Sequence, residues 1–159
     1  MPKTKKLPLN VLKLQQHPML TALLSDEKFT QKKLPDIQFL SIEQLQCLLD
    51  SSPIPVLKTE NEEQFVVLAV MPLIKIILSH NAAYKLIASL IIYDEAEPII
   101  STLALIKPTL LAPEFRSLLQ QLHGRHNNAK SLNLAVPSKK QLSHLAQVSP
   151  SSIRGDKCI

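Results

Sequence analysis

Apolar residues alternate with polar ones, or recur at helical spacing, along the first half of the chain. Residues 7–14 (LPLNVLKL) alternate enough to predict a short strand, and the six residues before them are expected to be loose. Ser41 and Gln44 have the spacing of a capping box, and the leucines that follow recur at helical intervals. The pattern therefore predicts a helix after Ser41 that ends at Ser51-Ser52-Pro53.

Three further segments are rich in β-branched residues. Residues 54–58 (IPVLK) and 64–70 (QFVVLAV) flank an acidic turn, and residues 86–93 (LIASLIIY) follow later. Between them Pro72 is suited to the first position of a buried helix over residues 73–80. The order of elements predicts an α+β fold, a small mixed sheet with packed helices, followed by C-terminal helices.

The second half of the chain has a helical pattern. Helices are predicted over residues 99–106 and 113–123, with residues 123–128 (HGRHNN) as a connection. The domain organisation that follows is an α/β core over residues 7–97, a helical connection over 98–123 and a separate helical segment over 138–159.

The composition excludes several classes of protein. A chain with 45% hydrophobic and 19% charged residues should fold. With 4% aromatic residues and no Trp, it is not expected to bind single-stranded nucleic acid by stacking aromatic side chains on the bases. Because the chain has only two glycines, Gly124 and Gly155, glycine-rich phosphate loops are nearly excluded.

The two cysteines, Cys47 and Cys158, indicate neither a disulfide framework nor a metal cluster. They fit a reducing, cytoplasmic compartment. Cys47 is expected to be an inert core thiol.

No membrane segment is expected. The N-terminal residues lack the apolar region of a signal peptide, and the most apolar window, residues 65–78, is interrupted by Pro72 and Lys75 and is shorter than a membrane span. That window is interpreted as buried core.

The net charge of +5 is unevenly distributed. Residues 115–159 contain seven basic residues and one acid, whereas residues 60–97 contain six acids and two lysines. A basic end on a neutral-to-acidic middle suggests a polyanionic partner, although basic tails also serve only to keep proteins soluble.

Residues 138–155 (SKKQLSHLAQVSPSSIRG) have the form of two helices joined by a tight turn. Ser138 is suited to cap the first helix, and Gln147-Val148 to turn the chain. Ala146 would be small where the helices cross. Ser149 would cap the second helix, with Pro150 at its first position and Ile153 facing inward. The residues expected to contact DNA bases or phosphates are Lys139, Lys140, Ser149, Ser151, Ser152 and Arg154.

This stretch resembles the helix-turn-helix of bacterial regulators and partition proteins, whose pattern is roughly Leu-Ala-x-x-Ala-Gly-Val-Ser-x-x-Thr-Ile. Here the corresponding letters are LSHLAQVSPSSI. Two positions depart from the pattern, because Gln147 replaces the turn glycine and Asp156 stands where an apolar residue is expected. The alternatives are a pair of short helices that closes the core or forms an oligomer interface, and a disordered segment.

Residues 8–97 have an element order that looks like the N-terminal domain of the ParB partition family, which shares its fold with sulfiredoxin. The family's Gly-x-Arg-Arg box binds nucleotide. When the two patterns are aligned, residues 70–73 (VMPL) of this chain occupy the positions of the box, and Lys75 is the only basic residue nearby. The resemblance thus implies a scaffold for dimerisation or partner binding that has lost nucleotide hydrolysis. An unrelated α+β domain with the same element order is the alternative.

No catalytic or metal site is expected. His123 and His126 have an i, i+3 spacing, but a zinc site needs further ligands that the sequence does not supply. The sequence therefore predicts a non-enzymatic DNA-binding protein of partition or transcription-regulator type, without cofactor or small-molecule substrate, that binds double-stranded DNA as a homodimer. The alternatives are a protein-interaction module (adaptor or inhibitor) with a basic tail, and an enzyme that retains ParB-like nucleotide chemistry.

Overall fold

One mixed sheet of five strands organises the first of two structural units. The computed structural model describes residues 2–27, 33–60 and 64–153, and the units comprise Met1–Thr109 and Leu110–Ile159. The strands are β1 (Lys3–Pro8), β2 (Lys13–Gln16), β3 (Ile54–Leu57), β4 (Gln64–Val67) and β5 (Ile87–Tyr93). Their order is β1-β5-β3-β4-β2. The β1–β5 and β3–β4 pairs are antiparallel, whereas β3–β5 and β2–β4 are parallel.

Four α-helices of the first unit lie between these strands or follow them. They are α1 (Pro18–Leu23), α2 (Ile42–Asp50), α3 (Pro72–Leu78) and α4 (Glu97–Ser101). The predicted α+β class, a small mixed sheet with packed helices, is confirmed.

The two faces of the sheet contribute to different parts of the core. Ile54 and Val56 of β3 point to one face and are fully buried, as is Leu90 of β5 opposite Ile54. Leu57 and Tyr93 point to the other face. There they pack against a cluster of buried apolar side chains from α1, α4 and the end of β4, namely Leu20, Ile100 and Leu68.

The helix predicted after Ser41 is confirmed. The backbone amide of Gln44 donates to Ser41 Oγ at 3.1 Å, and Gln44 Oε1 accepts from the Ser41 amide at 2.9 Å, which completes a capping box. On α2, Gln46 ties the helix to the sheet, because its side-chain amide donates to the Ile87 carbonyl at 2.8 Å and accepts from the Ile87 amide at 3.0 Å.

The N-terminal prediction is wrong. Instead of a loose start and one strand over residues 7–14, the chain forms β1, a 3₁₀ turn over Leu9–Val11 and then β2. The turn places Leu9 inside, where it is 3% exposed, and its amide donates to the Leu86 carbonyl at 2.9 Å. The same turn leaves Val11 53% exposed, so the alternation that predicted a single strand stops after Leu9.

Most of the most apolar window is core, as predicted, but Val70 and Leu78 are about half exposed. It divides into β4 and α3, and Pro72 is the first residue of α3. Within the described ranges, no helix combines the length and the apolar character that a membrane crossing requires.

The predicted helix boundaries in the second half are wrong. After α4 come a π-helix over Thr102–Ile106 and then α5 (Lys107–Phe115), so the helical backbone continues where a break was predicted. Pro113 lies inside α5, at the cost of one amide donor, instead of beginning a helix. The predicted connection over residues 123–128 lies inside α6 (Leu118–Ser131), which is followed by α7 (Lys139–Ala146).

Candidate nucleic-acid interface

The first helix of the predicted DNA-binding segment begins at Ser138 as expected. The Gln141 amide donates to Ser138 Oγ at 3.1 Å, and Gln141 Oε1 accepts from the Ser138 amide at 2.9 Å. These two reciprocal bonds form a capping box and define where α7 starts.

A left-handed residue ends α7 and turns the chain. Gln147 has a φ of 56°. Its amide donates to the His144 carbonyl at 3.1 Å, and the Val148 amide donates to the Ser143 carbonyl at 3.0 Å. These bonds form a Schellman motif, in which the left-handed position is usually glycine. Gln147 therefore has the backbone conformation that the helix-turn-helix pattern assigns to its glycine.

The residues after the turn follow the predicted order but form a shorter element. Ser149 is extended, but its side chain makes no cap hydrogen bond, so its predicted role as the cap of a second helix is wrong. Pro150–Ser152 make one 3₁₀ turn, and Ile153 is fully buried. The predicted inward orientation of Ile153 is therefore confirmed.

The serine side chains cluster at this turn. Ser149 Oγ lies 2.9 Å from Ser151 Oγ and 3.2 Å from Ser152 Oγ, so three predicted contact residues are brought together. Arg154, the remaining predicted contact residue of this element, lies outside the described residues.

The small buried residue of α7 is not the predicted one. Ala146 is exposed, whereas Ser143, three positions earlier, is fully buried. The Ser143 hydroxyl donates to the Lys140 carbonyl at 2.7 Å, which satisfies its polar group inside the unit. Because Ser143 has no apolar side chain, the hydrophobic pattern gave no signal of its burial.

The two lysines at the start of α7 have different surroundings. Lys139 is half-buried, and its Nζ donates to His123 Nδ1 of α6 at 2.8 Å. Lys140 is exposed. α7, eight residues and about 12 Å long, lies between these lysines at its start and the turn that carries the serine cluster.

His126 connects α6 to the chain that leads into α7. Its side chain is 4% exposed, and Nε2 donates to the Pro137 carbonyl at 2.9 Å. The other ring nitrogen, Nδ1, is buried without a hydrogen-bond partner. In the sequence, His126 and His123 were too few ligands to predict a zinc site, and no structural role was predicted for His126. In the described ranges, no group of three or more His, Cys, Asp or Glu side chains could hold a metal ion.

The net charge of the protein resides in the second unit. The first unit contains eleven basic and eleven acidic residues, and the second contains seven basic and two acidic residues. The exposed basic residues of the second unit include Arg116, Arg125, Lys130 and Lys140. The second unit is therefore the part of the protein that a polyanion would attract.

Residues 70–73 open α3 with apolar side chains. Val70 is 49% exposed, Met71 precedes the helix without a side-chain cap, and Pro72 is its first residue. Lys75, one turn along, is the only basic residue of α3. These four positions supply no cation and, at Pro72, no amide donor for a phosphate group.

Cys47 was predicted to be an inert core thiol, and this prediction is wrong. Cys47 is exposed, whereas Leu45 and Leu49 form the buried face of α2. The helical spacing of the leucines places Cys47 between two buried positions but on the opposite side of the helix.

The comparisons with known proteins support the fold. The structure is similar to the crystal structure of the C-terminally truncated chromosome-partitioning protein ParB from Caulobacter crescentus complexed with CTP-γ-S. The TM-score is 0.50 at 12% sequence identity, over 95% of this chain and 74% of that chain. The fold is therefore ParB-like. No protein-family model and no curated protein sequence matches this chain.

Proposed function

We propose that the chain is a DNA-binding protein of partition or regulator type that contacts double-stranded DNA through α7 and the turn after it. In this proposal it acts as a homodimer and does not hydrolyse nucleotides. The ParB-like fold supports a relationship to partition proteins.

The observation that carries the proposal is the backbone of residues 138–153. A capped helix, a left-handed residue at the turn, an extended serine and a buried isoleucine occur in the order of the proposed helix-turn-helix, with the 3₁₀ turn Pro150–Ser152 in the place of the second helix. The exposed hydroxyls of Ser149 and Ser151 follow the turn, where the second helix of such a motif contacts bases.

The charge distribution supports the same partner. Seven basic and two acidic residues lie in the unit that contains α7, while the first unit has no net charge. Phosphate contacts account for much of the affinity of DNA-binding proteins, and exposed lysines and arginines supply them. Lys140 at the start of α7 is suited to this role.

Residues 70–73 support the proposed loss of nucleotide chemistry. The similar ParB structure is complexed with CTP-γ-S. The apolar sequence VMPL has no arginine that could bind a triphosphate through two hydrogen bonds, and no glycine that would let the phosphates approach the backbone closely. A calorimetric titration of the protein with CTP and Mg²⁺ should therefore give no binding heat. Saturable binding of CTP would contradict this part of the proposal.

Fluorescence anisotropy with random duplex DNA at several salt concentrations tests the proposal. The full chain should bind at low salt and lose affinity steeply as salt rises. The double variant Lys139→Gln, Lys140→Gln should bind at least tenfold more weakly. Lys58→Gln, Lys75→Gln removes the same charge from exposed positions of the first unit and should bind normally. No binding at low salt, or equal binding by both double variants, would contradict the proposal.

Exposed apolar side chains of the second unit favour the alternative of a protein-interaction module. Leu110 is 73% exposed, Phe115 61% and Leu132 70%. Exposed apolar side chains of this size are typical of protein–protein contact sites where they form one patch. A chain that binds no DNA and loses a protein partner when Phe115 is replaced by Ser would favour this alternative.

A further inference from the structure

β1 is a lysine-rich edge strand. It has six residues, and within the described part of the chain its only strand neighbour is β5, in the register Lys3–Ile92 to Pro8–Ile87. In an antiparallel pair, every second residue turns its amide and carbonyl away from the neighbour. The outer side of β1 therefore presents main-chain groups that another strand could pair with.

The side chains of β1 set the charge of this edge. Lys3, Lys5 and Lys6 are exposed. Their partners across the ladder on β5 are Ile92, Leu90 and Ser89, so no acidic residue of β5 lies opposite them. The lysines are thus available to a group that approaches β1 from outside.

A second copy of this strand does not fit the edge. If two β1 strands paired with each other, lysines of one copy would lie beside lysines of the other, and like charges in adjacent strands destabilise a sheet. An acidic strand would place carboxylates beside the same lysines and would be stabilised by opposite-charge pairs. The other edge strand, β2, has four residues and one lysine, so it offers a shorter and less charged edge.

A cavity adjoins β1 on the sheet. Its volume is about 340 Å³, and it is lined by residues of β1 and β5 and by the chain at the end of α2, including Lys6, Ser89, Ile91, Asp50 and Pro53. Peptides that add a strand to a sheet obtain affinity from main-chain hydrogen bonds and specificity from such neighbouring pockets. The cavity could receive a side chain of a strand paired with β1.

We propose that the outer edge of β1 binds an extended acidic segment of a partner protein, which adds a sixth strand to the sheet. The three lysines select the acidic partner and prevent self-pairing, and the adjoining cavity accepts one of its side chains. This interaction is separate from DNA binding, because it uses the first unit.

The test uses a fluorescent peptide of five alternating glutamate–valine pairs as the probe. The full-length protein should bind it with a Kd below about 1 mM, and NMR chemical-shift changes should map to the amides of β1 and β5. The triple variant Lys3→Gln, Lys5→Gln, Lys6→Gln should bind at least tenfold more weakly while its thermal melting is unchanged. The matched variant Lys58→Gln, Lys75→Gln, Lys107→Gln, which also removes three charges from exposed positions of the first unit, should bind normally.

A second probe separates strand pairing from simple charge attraction. When proline replaces every valine of the peptide, the charges remain, but half of the amide donors are lost and φ leaves the strand region. This peptide should not bind. Equal binding of both peptides, shift changes confined to the basic second unit, displacement of the probe by duplex DNA, or no binding of the first peptide would each overturn the proposal.

Discussion

Lys139 and Lys140 show how neighbouring residues of one type acquire different roles. Lys140 is exposed at the start of α7, whereas the ammonium of Lys139 donates to His123 at 2.8 Å. That hydrogen bond holds the Lys139 ammonium against α6, so Lys139 is less free than Lys140 to move toward a phosphate. Sequence reasoning treated the two residues as equivalent because the packing of α6 beside Lys139 was not visible in the sequence.

We predict that Lys140→Ala weakens DNA binding more than Lys139→Ala. The loss should be the same for all duplex sequences, and the salt slope should become shallower by about one for each lost phosphate contact. In a His123→Ala background, Lys139→Ala should cost more affinity than in the wild-type protein, because Lys139 is then released. Anisotropy titrations of the wild-type protein, Lys139→Ala, His123→Ala and the double variant measure this coupling. If Lys139→Ala costs the same affinity in both backgrounds, His123 does not restrain Lys139.

His126 is a polar residue with a core position. It is 4% exposed and holds the Pro137 carbonyl at 2.9 Å. We predict that His126→Ala destabilises the second unit by about 3 kcal/mol, because it removes a hydrogen bond and leaves a cavity. Hydrogen exchange of α6 and α7 amides measures the change, and His144→Ala, at an exposed position of α7, is the control. Equal protection in both variants would contradict the structural role of His126.

Elements with local end signals were predictable from the sequence. The capping boxes at Ser41 and Ser138 and the proline that begins α3 are recognisable because capping and proline geometry involve only neighbouring residues. The strand over residues 3–8 was missed because most of its side chains are exposed, so no alternation reveals it. Its pairing with β5 is a long-range contact that local sequence cannot encode.

The helix over residues 118–131 was predicted only as far as residue 123, and its second half was missed for a different reason. HGRHNN contains residues that favour turns, and the local preference predicted a break. A Cβ atom added at Gly124 would have no neighbour within 4 Å, so packing does not require a glycine at this position. The buried side chain of His126 instead anchors the helix, which is an example of tertiary contacts that override propensity.

The left-handed backbone conformation of the turn after α7 can be tested by substitution of Gln147. Gln147 has a φ of 56°, a conformation that costs a residue with a Cβ about 1 kcal/mol. We predict that Gln147→Gly raises the free energy of unfolding of the second unit by about that amount and preserves DNA binding. Gln121→Gly, inside α6, should lower it by about 1 kcal/mol instead. Hydrogen exchange of the α7 amides reports both effects, and destabilisation by Gln147→Gly would show that the turn is not of the glycine type.

At the scale of the whole molecule, the separation of charge is the clearest feature. A first unit with eleven basic and eleven acidic residues is joined to a second with seven basic and two acidic residues. The sequence predicted the basic end correctly because net charge needs no knowledge of the fold. It could not predict which basic residues would be exposed, because that depends on packing.

The proposed dimer makes a prediction about DNA length. One short helix-turn-helix element binds weakly, and two copies reading sites one helical turn apart gain affinity from each other. A duplex of about 24 base pairs should therefore bind two chains, and more than tenfold more tightly than a duplex of about 10 base pairs, which has room for one half-site. Sedimentation velocity with labelled duplexes measures the number of bound chains, and anisotropy measures the affinity. One chain per long duplex, with equal affinity for both lengths, would mean that the protein binds DNA as a monomer. A single copy of the basic second unit would then have to supply the whole affinity.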